Sequence, residues 1–212
     1  MIRIIEGGNR RKFQREMDAF HQIRKRVFFD RMGWDVSVIN SWEVDGYDAL
    51  DPVYLLSVDA EERVVGGLRL LPTMGFNMLN DTFSQLLPEG KRIESPLIWE
   101  CSRFSVDDQV DMPIGPKGIS RATAELGLGM NELGARIGLS HIVAVYDAMM
   151  HRVLTRAKCA GEPIGEPKRI GKTMALAVFF EIGPATEAAA RAASGIGGQV
   201  LESDDRNAAI AA

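Results

Sequence analysis

Three stretches of the chain gather groups able to do chemistry. In "VFFDRMGWDVSVINSWEVDGYDAL" (residues 27–50) the aromatic side chains of Phe28 and Trp34 precede a dense acidic run, Glu43, Asp45 and Asp48. Carboxylates beside aromatic faces suit an organic cation, because a ring face attracts positive charge and a carboxylate neutralises it. The competing reading is a solvated acidic loop, with Phe28 and Trp34 packing a helix onto a sheet. No histidine or further carboxylate stands at metal-ligand spacing beside the run. In "WECSRF" (residues 99–104) strand alternation sets Glu100 and Ser102 on one face and Cys101 and Arg103 on the other, unless a bulge intervenes. That strand is either an edge with a surface Glu–Arg pair, worth little energetically, or it carries a general base with a charge partner in a cleft. Arg69, in "GGLRLLP", either snorkels from a strand end or pairs with the acidic loop.

Elements must position these groups. Residues 1–6 read as a short strand. Across residues 10–30, Phe13, Met17, Phe20, Ile23 and Val27 recur at helical spacing, with Arg11, Lys12, Arg15, Lys25 and Arg26 on the opposite face. Residues 53–58 and 64–72 read as two strands joined by a hairpin turn at "DAEER". One short helix is expected near residues 81–86. A strand follows at 97–106, then a loop rich in turn formers, "DDQVDMPIGPKG". Ala122, Leu126, Met130, Leu133 and Ile137 mark an amphipathic helix over 119–137. A buried strand at 141–146, a helix at 148–158 and a last strand at 174–182 complete the order. Residues 184–212 are rich in Ala and Gly without a bulky apolar stripe, so they are expected as a weak helix or disordered tail. The expected domain is therefore 1–183. Strands followed by helix, strand, helix and strand give an α/β sandwich with a mixed sheet. No G-x-G-x-x-G follows the first strand and no P-loop occurs.

Composition narrows the function classes. At 212 residues the chain fits one domain with a real core. A formal net charge of -4 gives no reason to expect nucleic acid. No apolar run reaches membrane-spanning length, and "MIRIIEGGNRRKF" lacks the apolar centre of a signal peptide. Two cysteines make neither a disulfide framework nor a zinc site. The expected location is cytoplasmic.

Taken in order, Arg24, Phe28, Trp34, Asp45, Asp48, Arg69, Glu100 and Arg103 lie in "RKRVFFDRMGW", "EVDGYD", "GGLRLLPT" and "WECSRFSV". On these residues the sequence resembles the acyl-homoserine lactone synthase family, the autoinducer synthases of bacterial quorum sensing, over roughly residues 1–182. The resemblance implies a three-layer α-β-α sandwich with a mixed sheet, similar to the N-acetyltransferase fold. It implies two substrates, S-adenosylmethionine and an acyl thioester on acyl carrier protein or coenzyme A. The products are an N-acyl-homoserine lactone, methylthioadenosine and a free thiol.

The resemblance also implies roles. Phe28 and Trp34, with Arg24 and Asp45, bind S-adenosylmethionine, and Asp45 and Asp48 balance its charge. Glu100 takes the proton of the attacking amine, in a catalytic set with Arg103, Asp45, Asp48 and Arg69. Backbone N–H groups near Phe104, Ser105 and Val106 hold the thioester oxygen where two strands splay, and Met149 joins the acyl pocket. Arg152, Arg156 and Lys158 offer a docking face to an acidic carrier protein. Neither a metal nor a resident cofactor is required, since both small molecules are substrates. Two other readings compete. One is a general acyl-coenzyme A N-acyltransferase of the same fold, and the other is a domain that binds a metabolite without turnover. Acyl chain, donor type and oligomeric state are not expressed in these residues.

Overall fold

The computed structural model describes residues 1–202, so the end of the expected tail, 203–212, lies outside the described residues. The elements in chain order are β1 (Ile2–Ile5), α1 (Gln14–Arg24), β2 (Val38–Ile39), β3 (Trp42–Glu43), β4 (Val53–Val58), β5 (Val64–Pro72), α2 (Met78–Asp81), β6 (Ile98–Val106), α3 (Arg121–Arg136), β7 (His141–Asp147), α4 (Ala148–Ala157), β8 (Glu162–Pro163), β9 (Lys168–Ile170), β10 (Thr173–Glu181) and α5 (Pro184–Ser194). A turn of 3-10 helix, Arg10–Phe13, leads into α1, and a π-helical turn, Lys25–Arg31, leaves it.

The main sheet runs β1-β4-β5-β6-β7-β10-β8, with β9 also beside β10. Its ladders are antiparallel except β6 with β7, which are parallel and joined through α3. A parallel pair needs such a crossover, whereas the antiparallel neighbours need only turns. Side-chain alternation splits the core between two faces. Ile4, Leu55, Leu68, Leu70, Cys101, Ile142 and Ala144 pack under α3. Ile5, Tyr54 and Leu56 pack under α1. Near α2, Leu79 meets Val143, Ala175 and Ala177 on the α1 side. Helix α4 packs with α3 and α5 through Ala157, Ala124 and Ala193. The expected α-β-α sandwich with a mixed sheet is what forms.

Helix α3 starts at Ser120, whose hydroxyl accepts from the Thr123 N–H. Glycine inside α3 costs helix propensity, yet a Cβ at Gly129 would lie 3.0 Å from Ile2. The glycine therefore lets the helix settle close to β1.

Two local features bear on expectations that left alternatives open. The first is β6, where the bulge that alternation allowed for is present. Arg69 pairs with Ser102 and Gly67 with Ser105, so Arg103 and Phe104 oppose the single residue Leu68. Arg103 takes a φ of 55° to make this bulge. The second is the tail. Residues 184–194 form α5 against α3, and Arg191 reaches Glu132 and Glu187. The chain then returns to β1, where the Ile2 N–H donates to Val200 O at 2.7 Å and the Glu202 N–H to Ile2 O at 2.8 Å. Val200 and Leu201 are buried there. The alanines that make α5 look weak also let it approach α3 closely, and a two-residue apolar anchor shows no period.

Candidate active site

Helix α1 buries Met17, Phe20 and Ile23, and Arg24 lies one turn beyond Phe20 on that same stripe. The hydrophobic face therefore carries a guanidinium into the interior, where it is fully buried. A charge so placed must be paired and hydrogen-bonded. Arg24 Nε donates to Glu43 Oε2 at 2.5 Å, and its two terminal nitrogens donate to the two oxygens of Asp48 at 2.8 and 2.9 Å.

Glu43, at the end of β3, is also fully buried and accepts from Arg103 Nε at 3.0 Å through its other oxygen. Arg103 reaches this side of the sheet only because of the bulge, and it meets Asp45 Oδ2 at 2.8 Å. Arg69, fully buried on β5, donates to Asp45 Oδ1 at 2.5 Å, to Asp48 Oδ1 at 2.9 Å and to Ser102 Oγ at 3.1 Å. Tyr54 Oη donates to Asp48 Oδ1 at 2.7 Å. The loop holding the two aspartates is tied by a capping box. Asp45 accepts from the Tyr47 N–H, and Asp48 accepts from the Asp45 N–H.

Three arginines thus face three carboxylates, and their formal charges cancel. Asp45 and Asp48 are engaged by protein cations rather than standing open to balance a bound one. Burial alone would raise the Asp48 carboxyl. The Arg24 hydrogen bond and the charges of Arg24 and Arg69 outweigh it and hold that carboxyl well below the usual carboxylate range. Arg24 and Arg69 are correspondingly raised: burial lowers each, and Asp48 and Glu43 for Arg24, Asp45 and Asp48 for Arg69, more than offset it.

Phe28 comes from the π-helical turn, and its ring stacks on Trp34 with centroids 5.3 Å apart and 27° between planes. Arg103 Cζ lies 5.3 Å from the Phe28 centroid. The pair packs into the core under α1 and also stands against the charged cluster.

Glu100, on β6, is 2% exposed. Its two oxygens accept the Met78 N–H at 3.0 Å and the Leu79 N–H at 2.5 Å, which pins the start of α2 beneath β6. Met78 Sδ lies 3.2 Å from Arg69 Nη2, so α2 bridges Glu100 to the cluster. Burial raises the Glu100 carboxyl above its ordinary range. The two backbone donors and the charges of Arg69 and Arg103 only partly oppose this. A buried carboxylate with raised proton affinity is suited to accept a proton. Cys101 next to it is buried on the other face, and burial pushes its thiol up, so it stays a thiol.

The β6–β7 ladder stops at Cys101–Ala144, although β6 continues to Val106 and β7 to Asp147. Beyond that point the β7-facing edge of Phe104, Ser105 and Val106 has no ladder partner among the described residues. Peptide N–H groups on such an edge are free to hold a carbonyl oxygen as charge builds on it.

The structure therefore brings together Arg24, Asp45, Asp48, Arg69 and Arg103, with Phe28, Trp34 and Glu100 around them. It does not bring in Met149, which is 74% exposed on the first turn of α4. Arg152 and Arg156 lie exposed on α4 and Lys158 exposed just past its C-terminal end. Sequence reasoning named Glu43 in the acidic run without assigning it a role, and it missed Tyr54, Met78 and the Ser102 hydroxyl as partners. Only the position of Glu43 two residues before Asp45 hinted at its place. Among the described residues no three His, Cys, Asp or Glu side chains gather as metal ligands. No described helix is long and apolar enough to cross a membrane.

Comparison with known proteins adds the following. A family model described as "Autoinducer synthase" matches residues 9–190. A probable acyl-homoserine-lactone synthase of Sinorhizobium fredii (strain NBRC 101917 / NGR234) is 39% identical over 159 residues, 75% of this chain and 76% of that protein. Among solved structures, the AHL synthase LasI superposes with a TM-score of 0.78 at 30% identity, covering 94% of this chain and 98% of that one. The CoA-dependent acyl-homoserine lactone synthase BjaI, solved with SAM and isopentyl-CoA, superposes with a TM-score of 0.82 at 25% identity, covering 96% and 93%. A Lactobacillus plantarum protein described as a "putative N-acetyltransferase", at 14% identity and a TM-score of 0.55 over 85% of this chain and 98% of that one, shares the fold alone.

Proposed function

The chain belongs to the autoinducer synthase family, and on that premise we propose that it makes an N-acyl-homoserine lactone for quorum sensing from S-adenosylmethionine and an acyl thioester. One observation carries the reading. A buried carboxylate of raised proton affinity, Glu100, sits one residue before the point where the parallel strands β6 and β7 part.

The α-amine of S-adenosylmethionine must lose a proton before it attacks. An ordinary α-amino group has a pKa of about 8, so the demand at neutral pH is modest. Glu100 takes that proton, directly or through one water. The amine attacks the thioester carbonyl, whose oxygen is held by N–H groups along Phe104, Ser105 and Val106. Collapse forms the amide and releases the thiol. The methionine carboxylate then attacks its own γ-carbon and expels methylthioadenosine, an intramolecular step in which orientation does most of what is needed. Arg24, Arg69 and Arg103 hold Glu43, Asp45 and Asp48 in one rigid arrangement, so the substrate meets a fixed wall rather than a loose loop. Phe28 and Trp34 form the aromatic side of that wall. The donor is an acyl-acyl carrier protein or an acyl-coenzyme A, both molecules consumed are substrates, and the enzyme acts in the cytoplasm without a resident cofactor.

The test is one mass-spectrometric assay with S-adenosylmethionine and two thioester panels, one on carrier protein and one on coenzyme A. Paired methylthioadenosine and acyl-homoserine lactone are expected, and the panel that yields them names the donor. An acylated amine without methylthioadenosine would make the protein a general N-acyltransferase instead.

Trp34→Ala is expected to weaken S-adenosylmethionine binding about tenfold, the scale of one cation–π wall in a partly desolvated site. Calorimetric titration reads it. Unchanged affinity in a folded variant would reduce Trp34 to packing for Phe28.

A further inference from the structure

Every N–H of the Arg69 guanidinium has an acceptor. The group carries five such donors in one plane. Nε donates to Ser102 Oγ, Nη1 to Asp45 Oδ1 and Asp48 Oδ1, and Nη2 to Asp45 Oδ2 and Met78 Sδ. The last of these partners is a thioether on the first residue of α2. Arg103 Nη1 donates to the same sulfur at 3.4 Å. A thioether is a weak acceptor taken singly. Here it stands between two guanidinium groups, whose charge strengthens each bond. Met78 is buried, which keeps bulk water from standing in for it.

The same residue serves Glu100 with its backbone. The Met78 N–H donates to Glu100 Oε2 at 3.0 Å, and the Leu79 N–H meets the other oxygen. The Leu79 side chain turns into the apolar cluster with Val143, Ala175 and Ala177. Met78 thus meets the base with its main chain and the arginines with its side chain. The far end of α2 is held separately. Asn80 Nδ2 donates to Ile93 O at 2.8 Å, and the Ile93 N–H donates to Asn80 Oδ1 at 2.9 Å. Thr82 Oγ1, just past the helix, lies 2.8 Å from Tyr47 Oη. These contacts keep α2 beneath β6 and leave the direction of its first N–H groups to Met78.

We propose that Met78 is a positioning residue for proton transfer: its thioether, gripped by Arg69 and Arg103, fixes the first turn of α2 so that two backbone N–H groups aim the Glu100 carboxylate at the attacking amine. The proposal rests on the lactone-synthase reading and deepens it, since it gives the arginines a part in the proton step besides their pairing with carboxylates. A carboxylate accepts a proton through the lone pairs that its donors leave free. The direction of those donors therefore sets the direction left for the amine proton, and small errors of aim at a reacting centre cost rate.

Met78→Leu keeps the volume and apolar packing and removes the sulfur. Single-turnover acylation is followed over a range of S-adenosylmethionine concentrations, with the substitution made alone and on top of Glu100→Gln. Alone, it is expected to slow acylation about tenfold, with the half-saturating S-adenosylmethionine concentration within about 2-fold of wild type. On top of Glu100→Gln it is expected to change the rate by less than about 2-fold, because a residue that acts through Glu100 has nothing left to aim. Equal losses in both backgrounds would make Met78 a packing residue. An undiminished rate in the single variant would take the thioether out of the reaction, and a tenfold higher half-saturating concentration at an unchanged rate would put it in substrate binding. Any of these three overturns the proposal while leaving the lactone-synthase reading in place. If the wild type formed no lactone and no methylthioadenosine, the synthase reading itself would fail, and this proposal with it.

Discussion

Glu100→Gln is expected to slow acylation by about 10²–10⁴-fold at neutral pH, the range for loss of a general base, while S-adenosylmethionine still binds. The substitution is nearly isosteric but not silent. Both Glu100 oxygens accept backbone N–H groups, from Met78 and Leu79. A glutamine must turn its NH₂ toward one of them, at a cost of about 1–3 kcal/mol for the donor left unsatisfied. A rate loss alone would therefore mix a missing base with a displaced α2. The pH dependence separates the two. Above a pH of about 8 the α-amine sheds its proton without help, so a variant lacking only the base recovers as pH rises through that value. A variant with a misplaced α2 stays slow at every pH. Single-turnover acylation from pH 6 to 10 reads both. A wild-type rate at pH 7 would take Glu100 out of the proton transfer.

Arg24→Met is expected to cost about 3–5 kcal/mol of unfolding free energy, because it leaves Glu43 and Asp48 buried without their shared cation. Urea denaturation measures it. The sign of the pH dependence follows from Asp48. Its carboxyl is held below the ordinary range in the folded protein, so its pairing stabilises the fold above the unfolded value of about 3.9. That contribution is lost as pH falls from there toward the depressed folded value. Wild type and variant should therefore differ most near neutral pH and converge in strong acid. An undiminished stability in Arg24→Met would mean that the cluster serves the substrate alone.

The expected site residues illustrate what is legible in a sequence. Arg24 could be placed on α1 because Met17, Phe20 and Ile23 define a stripe that includes it. Nothing in the order of residues says that Arg24 chooses Glu43 and Asp48, or that Arg103 joins Glu43 across 60 positions. Alternation turns Arg103 away from Ser102 unless a bulge intervenes, and whether it does depends on how β5 registers against β6. Met149 has the chemistry of a pocket residue, yet the first turn of α4 leaves it in solvent.

By itself the sequence determined the order of the main strands and helices (though not the short strands β2, β3, β8 and β9), the presence of a mixed sheet, and the residue types that make the chemistry conceivable. Those follow from hydrophobic period, which is local: each strand or helix records in its own side chains which face it will bury. Only the tertiary structure decided which charges cancel, where β6 bulges and parts from β7, and that residues 195–202 return to cover β1. These depend on pairings between segments far apart in the chain, whose free energy is set by loop closure and mutual packing rather than by any one segment's pattern.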